Sequence, residues 1–131
     1  MARTFERLTL ARRALERLDQ LAGLAAPSPI ERDAAIQRFE FTVEAVWKAA
    51  QAFVDESHGL TPASPKAVIR ACHDVGVLDA DEAREALQMI DDRNLTAHTY
   101  NEALAQLIFG RLAGYAALLR TWVEGVARRG A

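Results

Sequence analysis

From Leu104 to Val126 the apolar side chains Leu104, Leu107, Ile108, Leu112, Tyr115, Leu118, Leu119, Trp122, Val123 and Val126 recur at intervals that an α-helix keeps largely on one side. A stripe of that length needs cover from several other elements, and the rest of the chain carries matching patterns. Phe5, Leu8, Leu15, Leu18 and Leu21 predict a first helix that ends near Gly23. Ser28-Pro29-Ile30-Glu31 then joins a capping serine, a proline at the first helical position and a glutamate three residues after the cap. It opens a second helix whose stripe, Ile36, Phe39, Val43, Val46, Trp47, Ala50, Phe53 and Val54, is wide enough to serve several neighbours and marks the central helix.

Gly59 and Pro62 end that helix, and Ser64-Pro65 restarts the chain as a short helix to about Val75, stopped by Gly76. Asp79 to Glu82 forms another capping-box pattern, opening a fourth helix with Ala83, Ala86, Leu87 and Ile90 on its apolar side. Short connections favour antiparallel neighbours. The expected fold is all-α: an antiparallel up-and-down four-helix bundle with an additional short helix, one domain over residues 1–131. Hydrophobic residues make up 50% of the chain and aromatic ones only 7%, the apolar content being mostly Ala and Leu, both strong helix formers.

Charge narrows the function classes. Lys+Arg 16 against Asp+Glu 18 leaves a formal net charge of -2, so no global positive field draws the chain to nucleic acid and any RNA contact must be local. A single cysteine, Cys72, excludes an internal disulfide and fits a reducing compartment. No apolar run approaches the roughly 20 residues of a membrane span. A soluble, cytoplasmic protein is the expectation, with no contact to a membrane.

The chemistry gathers at the junction between the last two long helices. DDRNLTAHTY, Asp91 to Tyr100, places two acids, an arginine, an asparagine, two threonines, a histidine and a tyrosine in one run. On an uninterrupted helix, Arg93 and His98 would stand about 140° apart and share no face. If the fourth helix ends near Thr96, both can project towards one cleft, with Asn101 capping the last helix.

Arg93-Asn94-Leu95-Thr96-Ala97-His98-Thr99-Tyr100 matches the R-x4-H-x-Y motif of HEPN domains. The whole chain resembles the nucleotidyltransferase substrate-binding branch of that superfamily, with further support in Ile36 to Gln51, Ser64 to Asp79 and Asp91 to Glu102. The resemblance implies a homodimeric helical bundle working with a cognate minimal nucleotidyltransferase. It implies a metal-independent ribonuclease site, without a cofactor, built from Arg93 and His98 of two subunits, with Asn94 as an accessory polar group. Tyr100 would be the residue onto which the nucleotidyltransferase, acting as antitoxin, transfers AMP. The chemistry is coherent: histidine exchanges protons near neutral pH, arginine's planar fork stabilises a phosphorane, and RNA carries its own 2′-OH nucleophile. AMP on Tyr100 would put bulk and negative charge where phosphate must bind.

Other readings stand beside this one. The alternative function is a non-catalytic module that presents a substrate or nucleotide to the nucleotidyltransferase. Residue by residue, Arg93 can simply pair with Asp91, Asp92 or Glu102, His98 can complement a helix C-terminus, and Tyr100 can be a half-buried aromatic. His58, His73 and His98 match no metal-ligand spacing. Arg120, Arg128 and Arg129 read as solvated positions of the last helix, and Trp47, Tyr115 and Trp122 as core or interface residues.

Overall fold

Each helix begins and ends where local chemistry satisfies its backbone. The computed structural model describes residues 1–130, with α1 over Ala2–Ala22, α2 over Pro29–His58, α3 over Pro65–Asp74, α4 over Ala80–His98 and α5 over Glu102–Gly130. Both expected capping boxes form. The Ser28 hydroxyl accepts from the Glu31 N–H at 3.1 Å while the Glu31 carboxylate accepts from the Ser28 N–H at 2.8 Å, and Asp79 and Glu82 repeat the exchange at 2.8 Å each way. Ser64 caps α3 through the Ala67 N–H, and Gly59, at φ 66°, closes α2 in the left-handed conformation that glycine adopts without a Cβ penalty.

The long helices run up, down, up and down. Arg3 of α1 meets Asp55 near the end of α2, and Arg38 of α2 donates to the Arg17 carbonyl of α1, so those two helices are antiparallel. Thr96 reaches Glu40, which sets α4 antiparallel to α2, and Asp92 meets Arg111, which sets α5 antiparallel to α4. The short α3 contacts α2 and α4 and bridges them at the edge of the bundle. As expected of a central helix, α2 contacts all four others.

One apolar core runs through the bundle, with Trp122, Phe39, Phe53, Leu18, Ile69 and Met89 among its fully buried side chains. Alanines at positions 11, 35, 49 and 50 are buried in the same core, their small size allowing close helix approach. Gly125 serves the same end on α5, where an added Cβ would meet the Val77 carbonyl oxygen at 3.3 Å. Cys72 lies in the core, where the Trp122 indole N–H donates to its sulfur at 3.4 Å, and burial pushes its thiol up to about 11.

Three sequence expectations change. Phe5 is 73% exposed, because the buried stripe of α1 passes through Thr4, Leu8, Ala11, Leu15, Leu18 and Ala22 and leaves Phe5 about 100° to one side. Leu107 is likewise exposed on α5. Finally, α5 is long and apolar enough by length and composition to cross a membrane, with an 18-residue window of mean hydropathy 1.2. In the bundle, α1, α2 and α4 cover its apolar face.

Candidate functional site at the α4–α5 junction

The polar junction is shorter than the sequence suggests. Instead of ending near Thr96, α4 continues to His98, and only Thr99, Tyr100 and Asn101 separate it from α5. Thr99 leaves the helix in extended conformation, at φ −139° and ψ 125°, while its N–H still closes on the Leu95 carbonyl at 2.8 Å. Asn101 caps α5 as expected, accepting from the Leu104 N–H at 2.9 Å.

This continuation separates the two motif residues. Arg93 and His98 belong to one unbroken helix and lie about 140° apart around it, so they do not converge on a cleft within the protomer. Arg93 lies on the side towards α2, half-buried. Exposed His98 occupies the last turn, and Asn94 sits one turn earlier on the same face, four residues before it.

A row of carboxylates on α2, absent from the sequence reading, receives this segment. Asp33, Glu40 and Glu44 lie within roughly 40° of one another around α2. Tyr100 donates its hydroxyl proton to Asp33, the Thr96 hydroxyl donates to Glu40 at 2.5 Å, and the Arg93 guanidinium stands 3.9 Å from Glu44. The bland pairings expected for Arg93 with Asp91, Asp92 or Glu102 do not form. Asp91 is taken by Lys66 at 2.6 Å, and Asp92, only 4% exposed, by Arg111 and the Tyr115 hydroxyl. Spacings of seven and four put the three α2 acids on one face, but nothing local says that α4 packs there.

The electrostatics follow from these partners. Burial alone would raise the Glu44 carboxyl, but hydrogen bonds from Trp47 and Lys48 and the charges of Lys48 and Arg93 outweigh it and hold the group below the usual range. Partial desolvation, then the Asp33 hydrogen bond and charge, push the Tyr100 phenol up to about 12. Tyr100 is nonetheless 50% exposed as a residue, on the surface at the end of the bundle that carries the junction. Arg93 is only loosely held: its one ion pair is long, and its Nε is buried with no hydrogen-bond partner among the described residues.

Other candidates resolve into structure. Tyr115 stacks on Phe39 with ring centroids 5.6 Å apart, Trp122 is core, and Trp47 is half-buried with its N–H on Glu44 at 2.9 Å. Arg120 pairs with Asp19. His58 and His73 close α2 and α3, and among the described residues no three potential ligands gather for a metal ion. A groove of about 860 Å³ between α1 and α2, lined in part by Arg13, Arg17, Arg38 and Phe41, includes none of the motif residues.

Comparison with known proteins places this geometry in context. Residues 6–128 match the family described as nucleotidyltransferase substrate binding protein like. A Thermus thermophilus protein of known crystal structure is 57% identical, with a TM-score of 0.86 over 88% of this chain and 98% of that one. A tri-AMPylated HEPN toxin of Shewanella oneidensis, solved in complex with an MNT antitoxin, superposes with a TM-score of 0.79 over 95% of this chain and 96% of its own, at 13% identity. A mutant of the MntA-HpeT toxin-antitoxin pair gives a TM-score of 0.81 over 98% and 99%, also at 13% identity. At such identities the likeness establishes the fold. No curated protein matches the sequence.

Proposed function

This chain belongs to the nucleotidyltransferase substrate-binding-protein-like family, and on that premise we propose that it is the HEPN-type toxin subunit of a two-component toxin-antitoxin pair. In this reading the subunit is a metal-independent ribonuclease. Arg93 of one protomer and His98 of its partner act on the same RNA phosphate, and a cognate minimal nucleotidyltransferase silences the site by transferring AMP to Tyr100. The observation that carries it is the complete R-x4-H-x-Y set, running from Arg93 in the last two turns of α4 through His98 at its end to Tyr100 in the linker, with His98 and Tyr100 exposed and Arg93 loosely held, in a fold shared with HEPN toxins solved beside their antitoxins.

The roles follow from chemistry. An exposed imidazole can take the proton of the 2′-OH and return one to the leaving oxygen, and a guanidinium with unspent donors can stabilise the phosphorane. Asn94, on the His98 face, offers an amide to the same substrate. The 140° separation within one protomer is what a shared, two-subunit site accommodates. The family's description favours a second reading, in which the bundle only presents a substrate to the nucleotidyltransferase.

Incubating the purified protein with total RNA and defined tRNAs separates the two. Cleavage by the wild type that is lost in folded His98→Ala, by about 10²-fold or more as expected for removal of a general acid-base group, supports the ribonuclease. Equal cleavage by the variant rules out His98 chemistry, and intact RNA with both proteins favours the presenting module.

A further inference from the structure

The Tyr100 hydroxyl has a proton acceptor already in contact, and it lies on another helix, 67 positions away in sequence. Asp33 sits in the second turn of α2, after the Ser28 cap and Pro29, a segment anchored by its capping box. The other two carboxylates of the row are otherwise engaged, Glu40 with Thr96 and Glu44 with Trp47, Lys48 and Arg93.

We propose that Asp33 aligns the Tyr100 hydroxyl and accepts its proton during transfer of a nucleotidyl group from a nucleoside triphosphate, a role that rests on reading Tyr100 as the modified residue. The chemistry calls for such a group. With its phenol pushed up to about 12, Tyr100 is ionised at neutral pH in only about one molecule in 10⁵. Attack therefore needs an acceptor in contact at the moment the new bond forms. In the step itself, the Tyr100 oxygen bonds to the α-phosphorus, the bond between the α-phosphorus and the bridging oxygen to the β-phosphate breaks, pyrophosphate leaves, and the phenolic proton passes to Asp33. Proton transfer neutralises the carboxylate as the phosphodiester anion forms beside it, so the two negative charges do not face each other at the moment of transfer.

The product also loses its tie to α2. A nucleotidylated Tyr100 has no phenolic proton to donate, so the hydrogen bond joining the junction to Asp33 ends with the modification. Asp33 thus favours the reaction that later releases it.

The test uses the full chain, its cognate nucleotidyltransferase and ATP, with intact mass and initial rates for wild type, Asp33→Asn, Asp33→Glu and Tyr100→Phe. Asp33 is exposed, so the Asn variant keeps its fold, checked by circular dichroism. Expected are an AMP adduct on the wild type, absent from Tyr100→Phe, and a kcat about 10²-fold lower for Asp33→Asn at unchanged KM for ATP and unchanged partner affinity, with Asp33→Glu restoring most of the rate. An adduct on the wild type with an equal rate for Asp33→Asn overturns the role of Asp33 and leaves Tyr100 as the target. So does a rate loss that tracks lost partner affinity, because it makes Asp33 a docking residue. A wild type that gains no adduct overturns the Tyr100 reading and this inference with it.

Discussion

Tyr100 and Asp33 make one pair of opposite accessibility to sequence reasoning. The tyrosine stood out by its place in the motif, whereas Asp33 is one acid among 18 until α2 and α4 are packed together. The pairing has a spectroscopic consequence. An ordinary phenol titrates near 10, and Tyr100 is expected near 12, while burial and Asp92 push the other tyrosine, Tyr115, higher still. In alkaline difference absorbance, Asp33→Ala should move the first phenol transition down towards 10 and Tyr100→Phe should remove it. A first transition at 10 in the wild type would mean that the contact does not persist in solution. The sign of the stability effect follows. Because the folded state holds this proton more tightly, the contribution is fully present below pH 10 and is lost as pH rises through about 12.

At the scale of elements, two adjacent acids on α4 do different work. Asp91 faces outward to Lys66, and an exposed pair of that sort contributes little. Asp92 turns inward, where it accepts two bonds from Arg111 at 2.9 and 3.0 Å and one from the Tyr115 hydroxyl at 2.5 Å, fastening α4 to α5 just before the motif. Asp92→Ala should cost about 2–3 kcal/mol, since it leaves a buried hydroxyl unpaired and removes charge-assisted bonds. Asp91→Ala should stay within about 0.5 kcal/mol. Urea denaturation of both variants measures the difference, and equal effects would mean that Asp92 is not the fastening point. Helix starts were legible because a cap is local: Ser28, Ser64, Asp79 and Asn101 all act within three residues of themselves. The end of α4 was not, because no glycine or proline marks it and the helix runs two residues past Thr96.

The whole molecule carries the question of assembly. Arg93 and His98 occupy different sides of one helix, so a site that uses both must borrow one from a second copy about a two-fold axis. Near this end of the bundle, Leu95 is 48% exposed and Leu107 is 52% exposed, one turn past Asp92 and one turn before Arg111 respectively. A second copy over this surface would cover them. Light scattering at micromolar concentration should give about twice the 14.4 kDa chain mass, and a monomer would sink the two-subunit site. The sequence by itself determined the number of helices, their caps, most of the core stripes and the motif, because caps and periodicity depend on residues a few positions apart. Only the tertiary structure decided that Arg93 and His98 stay apart within the protomer, that Asp92 and not Asp91 is buried, and that Asp33, Glu40 and Glu44 receive the motif segment. Those outcomes depend on which helix faces which and at what rotation, and that is set by packing the five apolar stripes together at once.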